Sequence, residues 1–237
     1  MIDLKSLVSL PTYTATVPST GKKVSFRPFV VKEEKIMLIA KQSEDQQEIN
    51  SAIQNIMNNC FKDDININEI PYFDTEYLFT QLRMKSMGEV VEIVVKDPKT
   101  GEKFDTEMKL ENIKIINLDK NKLTMDIRLN ENFGVILKYP PITIFSNIDV
   151  NTEKLTIYKM IAKSIDKIYT KDEIILTKDI PEEEIQEFIE SLTKEMFTKI
   201  LEFFKNMPRV VYEDELISPT TGNKLPIYID KFKDFFH

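Results

Sequence analysis

The chain has 237 residues, 42% hydrophobic and 30% charged, with 32 basic against 39 acidic side chains and a formal net charge of −7. This composition can bury a core, which excludes a disordered chain, and its interleaved, net-acidic charge excludes the concentrated cationic surface that nucleic acid requires. One cysteine, Cys60, and one histidine, His237, exclude an internal disulfide and leave too few soft ligands for a transition metal.

The opening residues Met1-Ile2-Asp3-Leu4-Lys5 lack a continuous apolar signal core, and no run of about 18 apolar residues occurs to span a bilayer. The expectation is a protein made and kept in the cytoplasm. In chain order, the first element is a hairpin: Tyr13 to Val17, a turn at Pro18-Ser19-Thr20-Gly21-Lys22-Lys23, and Val24 to Phe29. The pattern P-x-T-G-x-K recurs at Pro98 to Lys103 and at Pro219 to Lys224, and the copies hold three of the five glycines. Proline cannot sit in a central strand and glycine supplies a positive φ, so Gly21, Gly101 and Gly222 mark hairpin turns.

Between the first and second turns the period is helical. Val31 to Ala40 opens an amphipathic helix, and Glu48 to Phe61 continues with Ile49, Ala52, Ile53, Ile56, Met57 and Cys60 at i, i+3, i+4 spacing. Asp74 or Thr75 is expected to cap a helix that runs through Met84 and ends near Gly88. The second hairpin follows, with strands Val90 to Val95 and Phe104 to Met108. Leu123 to Leu129 and Gly134 to Lys138 predict another strand pair, turning at Asn130-Glu131-Asn132 and extending the same sheet, with Pro140-Pro141 closing the run. Thr152 to Tyr169 reads as helix. Asp179-Ile180-Pro181-Glu182-Glu183-Glu184 starts further helices reaching about Met207, because proline suits the first turn and acids suit the positive dipole end. Pro208 stops them, the third hairpin (Val210 to Leu216, Leu225 to Ile229) follows, and Lys231 to Phe236 is expected to form one turn of helix.

The fold class expected is α+β: amphipathic helices, three β-hairpins and a short additional strand pair. Residues 1–237 form one compact protein, divisible into a hairpin-helix-sheet part at 1–145 and a helical part with the C-terminal hairpin at 146–237.

Chemistry is sparse. The acidic clusters Asp63-Asp64, Asp172-Glu173 and Glu182-Glu183-Glu184 sit beside turns or at a helix start, where solvated capping is the simpler reading than acid–base work. Cys60 lies on an apolar stripe and is read as core. No nucleophile elbow, Walker A or dinucleotide fingerprint occurs, and the P-x-T-G-x-K turns lead into strands, not into the helix a phosphate loop needs. Asp97-Pro98-Lys99-Thr100-Gly101 and Ser218-Pro219-Thr220-Thr221-Gly222 match the Pro and Gly of a zinc-ribbon knuckle, C-P-x-C-G, with both cysteines replaced. No metal, cofactor or catalytic residue is expected. Phe26, Phe29, Phe203 and Phe204 read as core. Phe232, Phe235 and Phe236 share one helical face and must dock either on the third hairpin or in a partner's groove.

Several segments, in order, resemble the baseplate hub family of T-even-type bacteriophages. They are LPTYTATVPSTGKKVSFRPFVVKEEKIMLIA at 10–40, YLFTQLRMKSMGEVVEIVVKDPKTGEKFDTEMKLENIKI at 77–115, GVILKYPP at 134–141, PEEEIQEFIESLT, FFKNMP and the closing DKFKDFF. The resemblance implies a non-enzymatic structural or assembly component of the hub. Its partners would be other hub and tail proteins, without nucleic acid, membrane or small-molecule substrate. It would be present in the host cytoplasm during assembly and then in the virion tail. In that family the hairpin turns can carry cysteine pairs, and this chain departs by having none. The alternatives are a tail-assembly chaperone absent from the mature virion and a small hydrolase using paired carboxylates.

Overall fold

The first hairpin is β1 (Tyr13–Thr16) and β2 (Lys23–Phe26), antiparallel with Tyr13 opposite Phe26. The computed structural model describes residues 8–43, 45–62, 65–119, 124–146 and 153–229. Helix α1 (Val31–Ser43) starts with a reciprocal cap, in which the Val30 N–H donates to Glu33 Oε2 at 3.0 Å. Helix α2 (Gln46–Cys60) is capped by Asp45, whose Oδ1 accepts from the N–H groups of Gln47 and Glu48 at 2.7 and 3.3 Å. It buries Ile53, Ile56, Met57 and Cys60, the stripe its spacing predicts.

Helix α3 (Tyr72–Met87) begins two residues before the expected cap. Pro71 is the cap instead: its carbonyl accepts from the N–H of Asp74 and of Thr75, and the Tyr72 N–H is taken by the Pro140 carbonyl at 2.8 Å. These contacts satisfy the helix start, so Asp74 and Thr75 are free to face the interior, where both are fully buried. Gly88 ends the helix at φ +103°.

The second hairpin pairs β3 (Val90–Lys96) with β4 (Lys103–Lys109). A 3₁₀ turn at Leu110–Asn112 leads to β5 (Ile113–Ile116), a strand the sequence reading lacks. Strands β6 (Thr124–Arg128) and β7 (Phe133–Lys138) turn at Asn130, whose Oδ1 accepts from the N–H of Asn132 and of Phe133. Next come α4 (Ile142–Ser146) and α5 (Glu153–Ser164). The expected helix to Tyr169 stops at Ser164, because Ile165 onward becomes β8 (Ile165–Thr170), which pairs with β7 and, through a tight turn, with β9 (Ile174–Leu176). Isoleucine, tyrosine and threonine favour a strand once a free ladder edge is offered. Hence β6 and β7 do not extend the second hairpin; they belong to a separate sheet of order β6-β7-β8-β9.

Helices α6 (Glu182–Glu190) and α7 (Lys194–Lys205) follow, the latter capped by Thr193. The third hairpin, β10 (Arg209–Ile217) and β11 (Lys224–Ile229), takes β5 as its third strand, with Tyr212 opposite Ile113. The architecture is α+β with small antiparallel sheets.

Two hydrophobic clusters organise the packing. The first draws on both ends of the chain: Val24 and Phe26, α2, Leu78, Phe79 and Leu82 of α3, Val91, Met108, and Val210 and Tyr212 of the third hairpin. The second joins Val135 and Leu137 to Ile161, Ile165, Ile189, Ile200 and Phe203. Tyr139 links the two regions, stacked on Phe203 at 5.1 Å and edge-on to Phe73 at 5.4 Å.

Candidate functional site

The three P-x-T-G-x-K turns are the same object built three times. In each, the residue before proline donates its N–H to the carbonyl five residues on and accepts from the glycine N–H four residues on. The pairs are Val17–Lys22 and Gly21–Val17 (both 2.8 Å), Asp97–Glu102 (2.9 Å) and Gly101–Asp97 (2.8 Å), and Ser218–Asn223 (2.8 Å) and Gly222–Ser218 (2.9 Å). The glycines take φ of +71°, +76° and +67°, values at which a Cβ is strained. The threonine has a role as well: Oγ1 of Thr20, Thr100 and Thr221 accepts the N–H two residues on, at 3.3, 3.3 and 3.4 Å.

The turns differ in what they touch. The first docks on α3: the Ser19 N–H donates to Asp74 Oδ1 at 3.0 Å and its hydroxyl donates to Asp74 Oδ2. Burial pushes the Asp74 carboxyl up to about 6, against the Ser19 hydrogen bonds. Two residues along the helix, and so on its other side, burial pushes Glu76 up to about 8, against hydrogen bonds from the Val210 N–H and the Tyr72 hydroxyl. Thus α3 holds the first hairpin through one carboxyl and the third through the other. The sequence reading missed both. The available signal was two acids among Phe73, Leu78 and Phe79 in a segment without a distinct polar face.

The second and third turns meet each other. Thr220 Oγ1 donates to Glu102 Oε2 at 2.6 Å. Asp97 and Ser218 are each only 1% exposed, and the Lys99 N–H first, with the Ser218 hydroxyl among the further contributors, holds the Asp97 carboxyl below its ordinary range.

In the segment from Arg27 to Glu33 the guanidinium meets the carboxylate through both nitrogens, Nη2–Oε1 at 2.9 Å and Nη1–Oε2 at 3.3 Å. Burial alone would push Glu33 up, but Arg27 and the Val30 N–H bring it below the usual carboxylate range. This clamp sets α1 against the first hairpin and leaves three apolar side chains outward around the exposed Lys35: Val31 is 79% exposed, Ile39 56% and Leu38 54%. Leu38 also lines a groove of about 130 Å³ with Phe29, Met37, Phe79, Arg83 and Met87.

Cys60 is buried, and burial pushes its thiol up to about 12, so it is no thiolate nucleophile. Asp172, Glu173, Glu182, Glu183 and Glu184 are exposed, with Glu182 paired to Lys163 at 2.5 Å. Phe26 packs on Phe61 and Phe203 on Phe204. Asp63, Asp64, Phe232, Phe235 and Phe236 lie outside the described residues. Among the described residues, no three His, Cys, Asp or Glu side chains gather as metal ligands and no helix is long and apolar enough to cross a membrane.

A family model described as T4 bacteriophage base plate protein matches residues 10–237. The chain belongs to this family. Neither a comparison with curated proteins nor one with solved structures finds a match. As a phage baseplate protein it has a structural setting in the virion tail, and the segment matched includes all three turns, the Arg27–Glu33 clamp and both carboxyls of α3. In this baseplate protein the polar side chains with the most definite partners hold its own elements together.

Proposed function

We propose that this baseplate protein is a non-enzymatic component of the baseplate hub, acting through contacts with other hub and tail proteins during assembly in the host cytoplasm and in the finished tail. The observation that carries this reading is the set of exposed apolar side chains on α1, Val31, Leu38 and Ile39, with Met87 beside Leu38, in a molecule whose two α3 carboxyls are already engaged in joining helix to hairpin. Exposed apolar side chains of this kind fit a protein partner, and the net charge of −7 disfavours nucleic acid. Phe232, Phe235 and Phe236, at i, i+3 and i+4, add a second docking element.

Quantitative mass spectrometry of purified virions tests the permanent role. Stoichiometric presence supports a hub component, whereas absence from virions with presence on assembly intermediates supports the alternative, a tail-assembly chaperone. Deleting Phe235 to His237 tests the docking element: the chain should stay folded by circular dichroism and lose co-purification with hub proteins. Loss of the cooperative melt would instead assign those rings to the chain's own core.

A further inference from the structure

The second and third turns meet through the Thr220–Glu102 hydrogen bond. A zinc-ribbon clasp joins two hairpins through two knuckles, each presenting ligands from its first and fourth residues, with backbone N–H groups of the knuckle donating to the first ligand atom. Here the first and fourth residues are Asp97 and Thr100 in one turn and Ser218 and Thr221 in the other. Within each turn the side-chain oxygen of the first residue accepts from the N–H of the fourth: Thr100 N–H to Asp97 Oδ1 at 3.4 Å, and Thr221 N–H to Ser218 Oγ at 3.3 Å. Asp97 Oδ1 also takes the Lys99 N–H at 2.8 Å.

The first residues of both turns are buried, and the Ser218 hydroxyl is among the groups that hold the Asp97 carboxyl down. The Thr220–Glu102 hydrogen bond lies beside them and joins the same two turns. Asp97 Oδ2 is buried and has no hydrogen-bond partner among the described residues. One carboxylate and three hydroxyls do not fit Zn²⁺, which wants four soft or borderline ligands.

We propose that the joint between the second and third hairpins is a zinc-ribbon clasp that works without metal, with positions 97, 100, 218 and 221 standing around one point and Asp97 and Ser218 joining the turns where the ion would sit. The ligand that this framework takes, once its four positions carry thiolates, is a thiophilic tetrahedral divalent cation. The natural side chains take none.

The test restores the ligands. The variant Asp97→Cys/Thr100→Cys/Ser218→Cys/Thr221→Cys should bind one Zn²⁺ per chain by elemental analysis, and Co²⁺ in its place should show the absorption of a tetrahedral tetrathiolate. The natural chain should carry no stoichiometric zinc, and the one-turn variant Asp97→Cys/Thr100→Cys should lack the tetrathiolate spectrum. A folded four-cysteine variant without that spectrum overturns the proposal, as does stoichiometric zinc in the natural chain. Should the four-cysteine variant not fold, Asp97→Cys/Ser218→Cys decides: mild oxidation should remove two titratable thiols by forming an intramolecular disulfide and leave Cys60 free. Two free thiols at those positions in the folded, oxidised protein would show that the turns do not meet there.

Discussion

Glu76 offers the sharpest test of how α3 holds the third hairpin. Its carboxyl is buried between the Tyr72 hydroxyl and the Val210 N–H, and burial raises it from 4.5 to about 8. Because the folded-state value lies above the unfolded one, the protonated form favours the fold: the contribution is fully present below pH 4.5 and is lost as the pH climbs through about 8. At roughly 1.4 kcal/mol per unit, the loss across that window amounts to ~5 kcal/mol. Replacement by glutamine keeps an acceptor for Val210 and removes the titration. Urea unfolding followed by circular dichroism, run on both proteins across the window, isolates Glu76, since every other titrating group is common to the two. The stability of Glu76→Gln relative to the natural chain should rise by several kcal/mol from the acid to the alkaline end, with the variant the more stable at the alkaline end. A difference that stays constant to within ~1 kcal/mol would refute the buried, proton-retaining carboxyl.

Three further outcomes follow from particular contacts. Asp74→Ala strands the N–H and hydroxyl of Ser19, so it should destabilise by about 2 kcal/mol or more below pH 3.8 and by progressively less as the pH rises through about 6, where the lost charge was itself disfavoured; a pH-independent cost would count against this assignment. Gly101→Val places a β-branched residue at φ +76° and should cost ~1 kcal/mol or more, visible as a lower Tm; an unchanged Tm would mean that the turn is built differently. Gly134→Ala aims a methyl at the Tyr169 ring and at the Ile127 carbonyl, 2.7 Å away, and should cost about 1–3 kcal/mol by thermal melt, less in a Tyr169→Ala background; equal costs in both backgrounds would remove Tyr169 as the cause.

Local chemistry was readable from the chain. Proline, threonine and glycine at fixed spacing force the same turn wherever they occur, and the acids after Pro181 act on the first turn of their own helix. Those elements and the α+β class were therefore legible before any coordinates. The rest depended on neighbours distant in sequence. Ile165 to Thr170 has spacing compatible with a helix and became a strand because β7 offered an open edge. Asp74, which looked like a cap, lost that role when Pro71 and Pro140 satisfied the helix start, and went inward to Ser19. The closing hairpin, adjacent in sequence to α7, packs with β5 and α3 in the first cluster. That the second and third turns meet across more than a hundred residues, through Thr220 and Glu102, is invisible in either motif alone. Turn and cap energies depend on residues a few positions apart, whereas strand partners and buried carboxyls are chosen by which surfaces the whole chain leaves available.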